Sequence, residues 1–338
     1  VTGLGLGVNI QEAQSRAGTV SDALAIGIDG GEGDDVIKST AALWVNTFSS
    51  ADTTATSSTN TGFNIAGASS GESAAGATTD VTASGIGIRG GISVLADDES
   101  DADIIVNEGP IFVNTTVMAT TESTSTSDSI ALFGAASGKA ASDASARVSA
   151  DATGIDSGAD NDIITSKGEL NVKSTASGKV TSTSNVDSET VFGEATSRGA
   201  SDASAILETK ALGINGGADD DRISSEGPAN IHVNSTVSVT ATSNVNADVT
   251  FGGASSGSVS DASVSQLVEA QGIAGGMGND VIKNLDTFTV NATAGDKGTP
   301  NNVTSTSNSN ADSTFGNAST GSVSNASIKQ QLSAIGID

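Results

Sequence analysis

Cysteine and tyrosine are absent from this 338-residue chain, tryptophan occurs once and proline three times, and aromatic residues make up 3% of it. Without cysteine there are no disulfides and no thiolate chemistry, and the redox compartment stays unread. The length suggests two or three globular domains, but so few large side chains leave such domains almost nothing to pack. Basic residues are scarce too: 14 Lys and Arg stand against 40 Asp and Glu, a formal net charge of −26. Nucleic acids and anionic membranes are bound through basic clusters, so no nucleic-acid partner and no membrane insertion is expected, and cations are the natural partners. No apolar run approaches the ~20 residues that span a bilayer. His232 is the lone histidine, and with no cysteine or tyrosine and no Ser-His-Asp set the chain is not expected to be an enzyme.

What the chain has is repetition. Gly-Ile followed by a Gly-rich acidic stretch starts at Gly27, Gly87, Gly154, Gly213 and Gly272 and reopens at Gly336, so that successive starts differ by 60, 67, 59, 59 and 64 in sequence number. Phe-Gly keeps the same period at Phe133, Phe192, Phe251 and Phe315, with Phe63 as a looser first member, and Ser-Asp-Ala or Ser-Asn-Ala recurs at Ser21, Ser142, Ser201, Ser260 and Ser324. These markers define one continuous array over residues 1–338, with partial repeats at 1–26 and 336–338, expected to be a stretch of something longer.

Inside each unit, runs such as Ile231-His232-Val233-Asn234-Ser235-Thr236-Val237 alternate with period two and are rich in β-branched residues, the signature of strand. Helical spacing is nowhere sustained. The expected fold is an all-β parallel β-solenoid built from 59-residue repeats. The step from a Val-Asn position to the marker Phe varies among the copies. In sequence number it is 17 from Asn46 to Phe63 and from Asn234 to Phe251, 19 from Asn114 to Phe133 and from Lys173 to Phe192, and 24 from Asn291 to Phe315, where residues 295–300 are added. A tolerated insertion suggests a corner midway, which gives three coils of roughly 20 residues per unit. One large flattened coil per unit, two long sheets packed through Ala, Ser and Gly, is the alternative. The marker Phe is expected inside a coil.

The segment Gly30-Gly31-Glu32-Gly33-Asp34-Asp35-Val36-Ile37 fits the pattern GGxGxDx-apolar, and Gly275-Gly276-Met277-Gly278-Asn279-Asp280-Val281-Ile282 fits it again. Here the chain resembles the RTX family of secreted calcium-binding repeats. The middle copies carry Asp160 and Asp219 at the third glycine position, and the copy ending in Asp103 is longer. The family stacks such nonapeptides consecutively, whereas this chain has one in each repeat unit. The resemblance implies Ca2+ held by Asp35, Asp162, Asp221 and Asp280, helped by Asp160 and Asp219, with Asp34 and Asp103 as lesser members; calcium takes six to eight oxygen ligands. The competing reading is that Gly and Asp here only form turns.

Asn114, Asn234, Asn291, Asn302, Asn317 and Asn325 begin Asn-x-Ser/Thr triplets that could accept glycans on a secreted protein. For Asn114, Asn234 and Asn291, which share the Val-Asn position with Asn46, an Asn at a strand end or in a stacked ladder is the preferred reading. Thr-x-Thr runs such as 181–183 offer hydroxyls for a flat face of the kind some ice-binding solenoids display, although along the sequence they look too broken for one uniform surface. The functional expectation is a secreted or cell-surface structural protein, a filament, sheath or surface-layer rod stiffened by calcium and polymerising with itself. An adhesin stalk binding carbohydrate is the alternative. A polysaccharide-cleaving β-helix is the remote one, with Asp97-Asp98-Glu99 as its only candidate site.

Overall fold

A computed structural model describes residues 5–91, 102–295 and 301–338. Among them there is no helix, and long strands stack in parallel with each residue opposite its equivalent one unit away. Leu170 pairs with Ala229, Val180 with Val239, Phe192 with Phe251 and Ile214 with Ile273. Each of these pairs is separated by one whole repeat, so one unit makes one coil. The β-solenoid expectation therefore holds, and the three-coil subdivision does not.

The unit beginning at Leu170 shows how the coil closes. A strand run Leu170–Asn215 is continuous in its pairing but folds back on itself at Phe192-Gly193. Before the fold, even-numbered residues are buried; after it, odd-numbered ones are. The alternation thus describes two arms, 170–191 leaving and 194–212 returning, with their inner faces in contact. At ~3.3 Å per residue the outgoing arm is about 70 Å wide and the return arm about 60 Å. At the far end Gly213-Ile214 turns the chain again, the acidic glycine segment follows, and the short strand Arg222–Ser225 closes the coil. The equivalent strands of all units form a separate five-stranded sheet running from Val281–Asn284 to Val36–Ser39.

Small side chains dictate this flat shape. Ser184 Oγ donates to the Ala140 carbonyl at 2.9 Å, Ser174 to Ala150 at 2.8 Å and Ser188 to Thr196 at 3.1 Å, each across the interior. One serine side chain spans the gap, so buried hydroxyls are satisfied by the opposite backbone, as a dry interior requires. Composition follows the space available. Where the short strand adds a third wall, Ile155, Ile164, Leu170, Ile214 and Ile223 form the largest apolar cluster. Midway along the arms Ala and Val take over, and toward the fold Ser184, Ser188 and Thr190 line the interior.

The marker phenylalanines lie outside, not inside. Phe133, Phe192, Phe251 and Phe315 are 40–62% exposed at the apex of the fold, where inside and outside exchange and no thick core exists. They stack on one another with ring centroids 5.0, 5.0 and 4.8 Å apart, which measures the rise per coil. Phe63 is not in this column: it pairs with Ile130, and Ala66 pairs with Phe133.

The insertion argument for three coils fails for a related reason. His232, not Asn234, is the true equivalent of Lys173 and Asn291, so the step from His232 to Phe251 matches that from Lys173 to Phe192. What remains is the addition at 295–300. Ser235 pairs with Ala294 and Ser238 with Asn302, so two residues of one layer face seven of the next. The pairing with the neighbouring layer stops at Ala294 and resumes at Asn302 within the same arm, so the addition does not mark a corner.

Gly193 turns the apex with φ +143°, and a Cβ on it would lie 1.7 Å from the Gly134 carbonyl oxygen. Such a backbone position costs a residue with a side chain on the order of 1–3 kcal/mol. Gly193→Ala is therefore expected to lower unfolding stability by about 1–3 kcal/mol. Gly253→Ala, where a Cβ meets nothing within 4 Å, is expected to leave it unchanged; chemical denaturation of the two variants checks this.

Candidate metal centre: the acidic glycine corner

The segment between the Gly-Ile turn and the short strand needs backbone that reverses sharply. Gly31, Gly158, Gly217 and Gly276 have φ between +102° and +107°, and the third glycine position is left-handed whichever residue holds it: Gly33 at +99°, Gly278 at +132°, Asp160 at +78° and Asp219 at +69°. Asp tolerates this region better than most residues. The departure of the middle copies from the glycine pattern is thus conformationally neutral. Asp160 and Asp219 serve as turn residues and stand apart from the column formed by the other expected ligands.

That column is the core of the site. Asp35, Asp103, Asp162, Asp221 and Asp280 stack one per layer, each just before a short strand. Asp35 N–H donates to Asp103 Oδ1 at 2.8 Å, Asp103 N–H to Asp162 Oδ1 at 2.7 Å, Asp162 N–H to Asp221 Oδ1 at 2.9 Å and Asp221 N–H to Asp280 Oδ1 at 2.9 Å. The carbonyls of Asp35, Asp103, Asp162 and Asp221 accept from the first strand residue of the next layer at 2.8–2.9 Å. The carboxylate thus supplies the acceptor that a turning backbone cannot, and the ladder extends one rung past the strand.

Each carboxylate has a second oxygen. Asp35, Asp162 and Asp221 Oδ2 are buried and accept no hydrogen bond. They press on the first glycine of the motif: a Cβ on Gly30 would lie 2.7 Å from Asp35 Oδ2, and one on Gly216 2.6 Å from Asp221 Oδ2. Glycine makes room for the carboxylate in four of the five layers, at Gly30, Gly90, Gly216 and Gly275. In one layer Ser157 replaces it and turns its hydroxyl to the Asn215 and Gly216 carbonyls.

Asp34 belongs to a second, exposed column with Asn161, Asp220 and Asn279. Asn161 Oδ1 accepts from Asp220 N–H at 2.9 Å, and Asp220 Oδ1 from Asn279 N–H at 2.8 Å; Asp34 Oδ1 accepts from Ala102 N–H at 3.0 Å. Its bonds run opposite to those of the buried column, so neighbouring layers are sewn in both directions. Sequence reasoning passed over Asn161, Asp220 and Asn279, although an Asp or Asn one residue before the ligand Asp recurs in four of the five motifs.

Burial makes the inner column electrostatically costly. It pushes Asp162 up to about 7, with the Asp221 and Asp103 charges adding to it and the Asp103 amide and the neighbouring Ser157 hydroxyl opposing it. It pushes Asp221 up to about 6, with Asp280, Asp219 and Asp220 adding. A column of oxygens carrying uncompensated negative charge suits a hard cation in kind. It does not converge, because among the described residues no three acidic or imidazole side chains come together. An ion here would have to combine carboxylates of successive layers with backbone carbonyls of the corner. The segment 97–99, the one candidate for a glycan-cleaving site, lies outside the described residues.

Comparison with protein-family models, curated proteins and solved structures finds no match to this chain. The RTX resemblance therefore rests on the motif alone.

A carboxyl whose folded pKa exceeds its unfolded value favours folding below the unfolded value, and that contribution is lost as pH rises through the folded one. With calcium chelated, the melting temperature is thus expected to fall as pH rises from about 4 to about 7, the window between the ordinary value of 3.8 and the two raised values. The double variant Asp162→Asn/Asp221→Asn, which keeps Oδ1 and removes the charge, is expected to flatten that slope; melting followed by circular dichroism across this range checks it.

Proposed function

We propose that this chain is a structural, extracellular repeat protein whose stacked layers are locked at one corner by Ca2+ bound along the Asp35 to Asp280 column. The observation that carries the reading is the orphaned Oδ2 of Asp35, Asp162 and Asp221: in each of these layers one buried carboxylate oxygen accepts no hydrogen bond. A divalent cation offsets in one stroke the desolvation and the like-charge repulsion that raise Asp162 and Asp221. Repetition supports the structural role. The buried Asp column, the phenylalanine stack and the Asn ladders recur layer on layer, whereas a catalytic site is singular.

Self-association is the second part of the proposal. The strand Asn302–Ile337 pairs in parallel with the layer below it, and the same layer-on-layer pairing can join one copy to another. Unpaired strand edges are templates for pairing. A carbohydrate-binding stalk is favoured by one feature, an open groove of about 500 Å³ along the outer face of the return arm, floored by Ala74, Ala141 and Ala200 and edged by Asp143, Asp202 and Asp261.

Calcium is expected to raise the melting temperature of the wild-type segment and to promote longer assemblies in sedimentation. In Asp162→Asn/Asp221→Asn the calcium-dependent gain is expected to shrink, while stability in chelator at pH 8 rises because the buried charge has gone. A wild-type melt indifferent to chelation would remove calcium from the account.

A further inference from the structure

The outer face of the outgoing arm carries an array that the linear sequence conceals. Thr56, Thr124, Thr183, Thr242 and Thr306 are in direct register, one per layer, and form an unbroken column of outward threonines. Two residues earlier, Thr54, Thr181, Thr240 and Thr304 form a parallel column. Its only gap is Glu122, which is ion-paired to Lys179 at 3.6 Å. All nine threonines are exposed or half-buried. The runs that look broken along the chain are aligned by the repeat of the layers.

The hydroxyls of the Thr183 column make no hydrogen bond to any described residue. The neighbouring amides behave differently: Asn244 donates to Asn185 and Asn308 to Asn244, each at 3.0 Å, and Asn310 donates to Asn246 at 3.0 Å. Those ladders pin the sheet and use up their own polar groups, leaving the hydroxyls of this column as free donors and acceptors of the face. A β-branched side chain is stiff at χ1, so each hydroxyl and methyl is held in place before anything binds. Successive layers repeat at 4.8–5.0 Å, as the phenylalanine stack measures, and the two columns lie about 6.6 Å apart, two residues of strand.

We propose that this threonine array is a binding face for crystalline water. The two repeats form a rectangular net close to that of the water oxygens on a prism face of hexagonal ice. Alternating hydroxyls and methyls on a rigid sheet order a first water layer at those positions, hydroxyls by hydrogen bonding and methyls by caging. That layer merges with the lattice, and the chain adsorbs to ice through the outgoing arm. The return arm has no such net, since its columns mix residues such as Arg147 with Ile206. The inference stands apart from the calcium question.

The test is partition into ice grown slowly from dilute, calcium-containing solution, with the whole chain. Wild type is expected to be enriched severalfold in the ice fraction over a non-binding protein of equal size. Thr183→Lys/Thr242→Lys is expected to fall to the level of that protein with an unchanged circular dichroism spectrum, and Ser204→Lys/Ser263→Lys, on the return arm, to keep the wild-type value. Should the lysine pair unfold, Thr183→Ser/Thr242→Ser, which removes only methyls, is expected to lose at least half of the enrichment. Exclusion of the wild type from ice overturns the proposal, as does full partition by a folded threonine variant.

Discussion

The features of this molecule depend on one constraint: along the long strands residues pair in parallel with their equivalents in the next layer, one repeat away. Backbone pairing of this kind turns a sequence repeat into columns of like side chains at a spacing of about 4.8 Å. Whatever chemistry a position carries is multiplied along the axis. Small residues become a seam narrow enough for one serine to bridge, asparagines become amide ladders, and phenylalanines become a stacked ridge along the apex.

Like-on-like stacking is favourable for neutral groups and adverse for charges. Outside, Asp202 is raised first by burial and then by Asp143 and Asp261, and Asp128 by burial and then by Asp187. Elsewhere the pattern relieves itself by alternating sign or donor: Arg89 forms an ion pair with Asp29, Asn215 donates to Asp156 at 2.8 Å, and Asn246 to Asp187 at 3.2 Å. The inner column of Asp35, Asp103, Asp162, Asp221 and Asp280 has no such alternation. It gains a backbone hydrogen bond on one oxygen, in Asp35, Asp162 and Asp221 at the expense of a buried second oxygen that accepts none, and this asymmetry makes the corner the place where a cation has most to contribute.

The fold was legible where the signal was periodic. Alternating β-branched runs and three markers of one period suffice for a parallel solenoid, and the acidic column follows from five motif copies in register. The size of the coil was obscured because a strand pattern of period two does not reveal where a chain folds back: the exchange of inside and outside at Phe192-Gly193 is a single-residue event. Equating Asn234 with Asn46 and treating Phe63 as an apex residue displaced two layers and made a mid-arm insertion look like a corner. The exposed phenylalanines were misread because apolar character alone places a residue in a core, and here the interior is too thin to hold one. The threonine net looked broken along the sequence for a geometric reason, since each of its columns joins residues a whole repeat apart, as Thr56 with Thr124 and Thr183 with Thr242.

A distance separates this account from its rival directly. The chain has no cysteine, so Thr56→Cys and Thr306→Cys can be spin-labelled cleanly and their separation read by pulsed dipolar spectroscopy. The two sites are four layers apart. One coil per unit places the labelled backbones about 19 Å apart at ~4.8 Å per layer. Three coils per unit would place them about 58 Å apart by the same spacing, and a distance in that range would contradict the account.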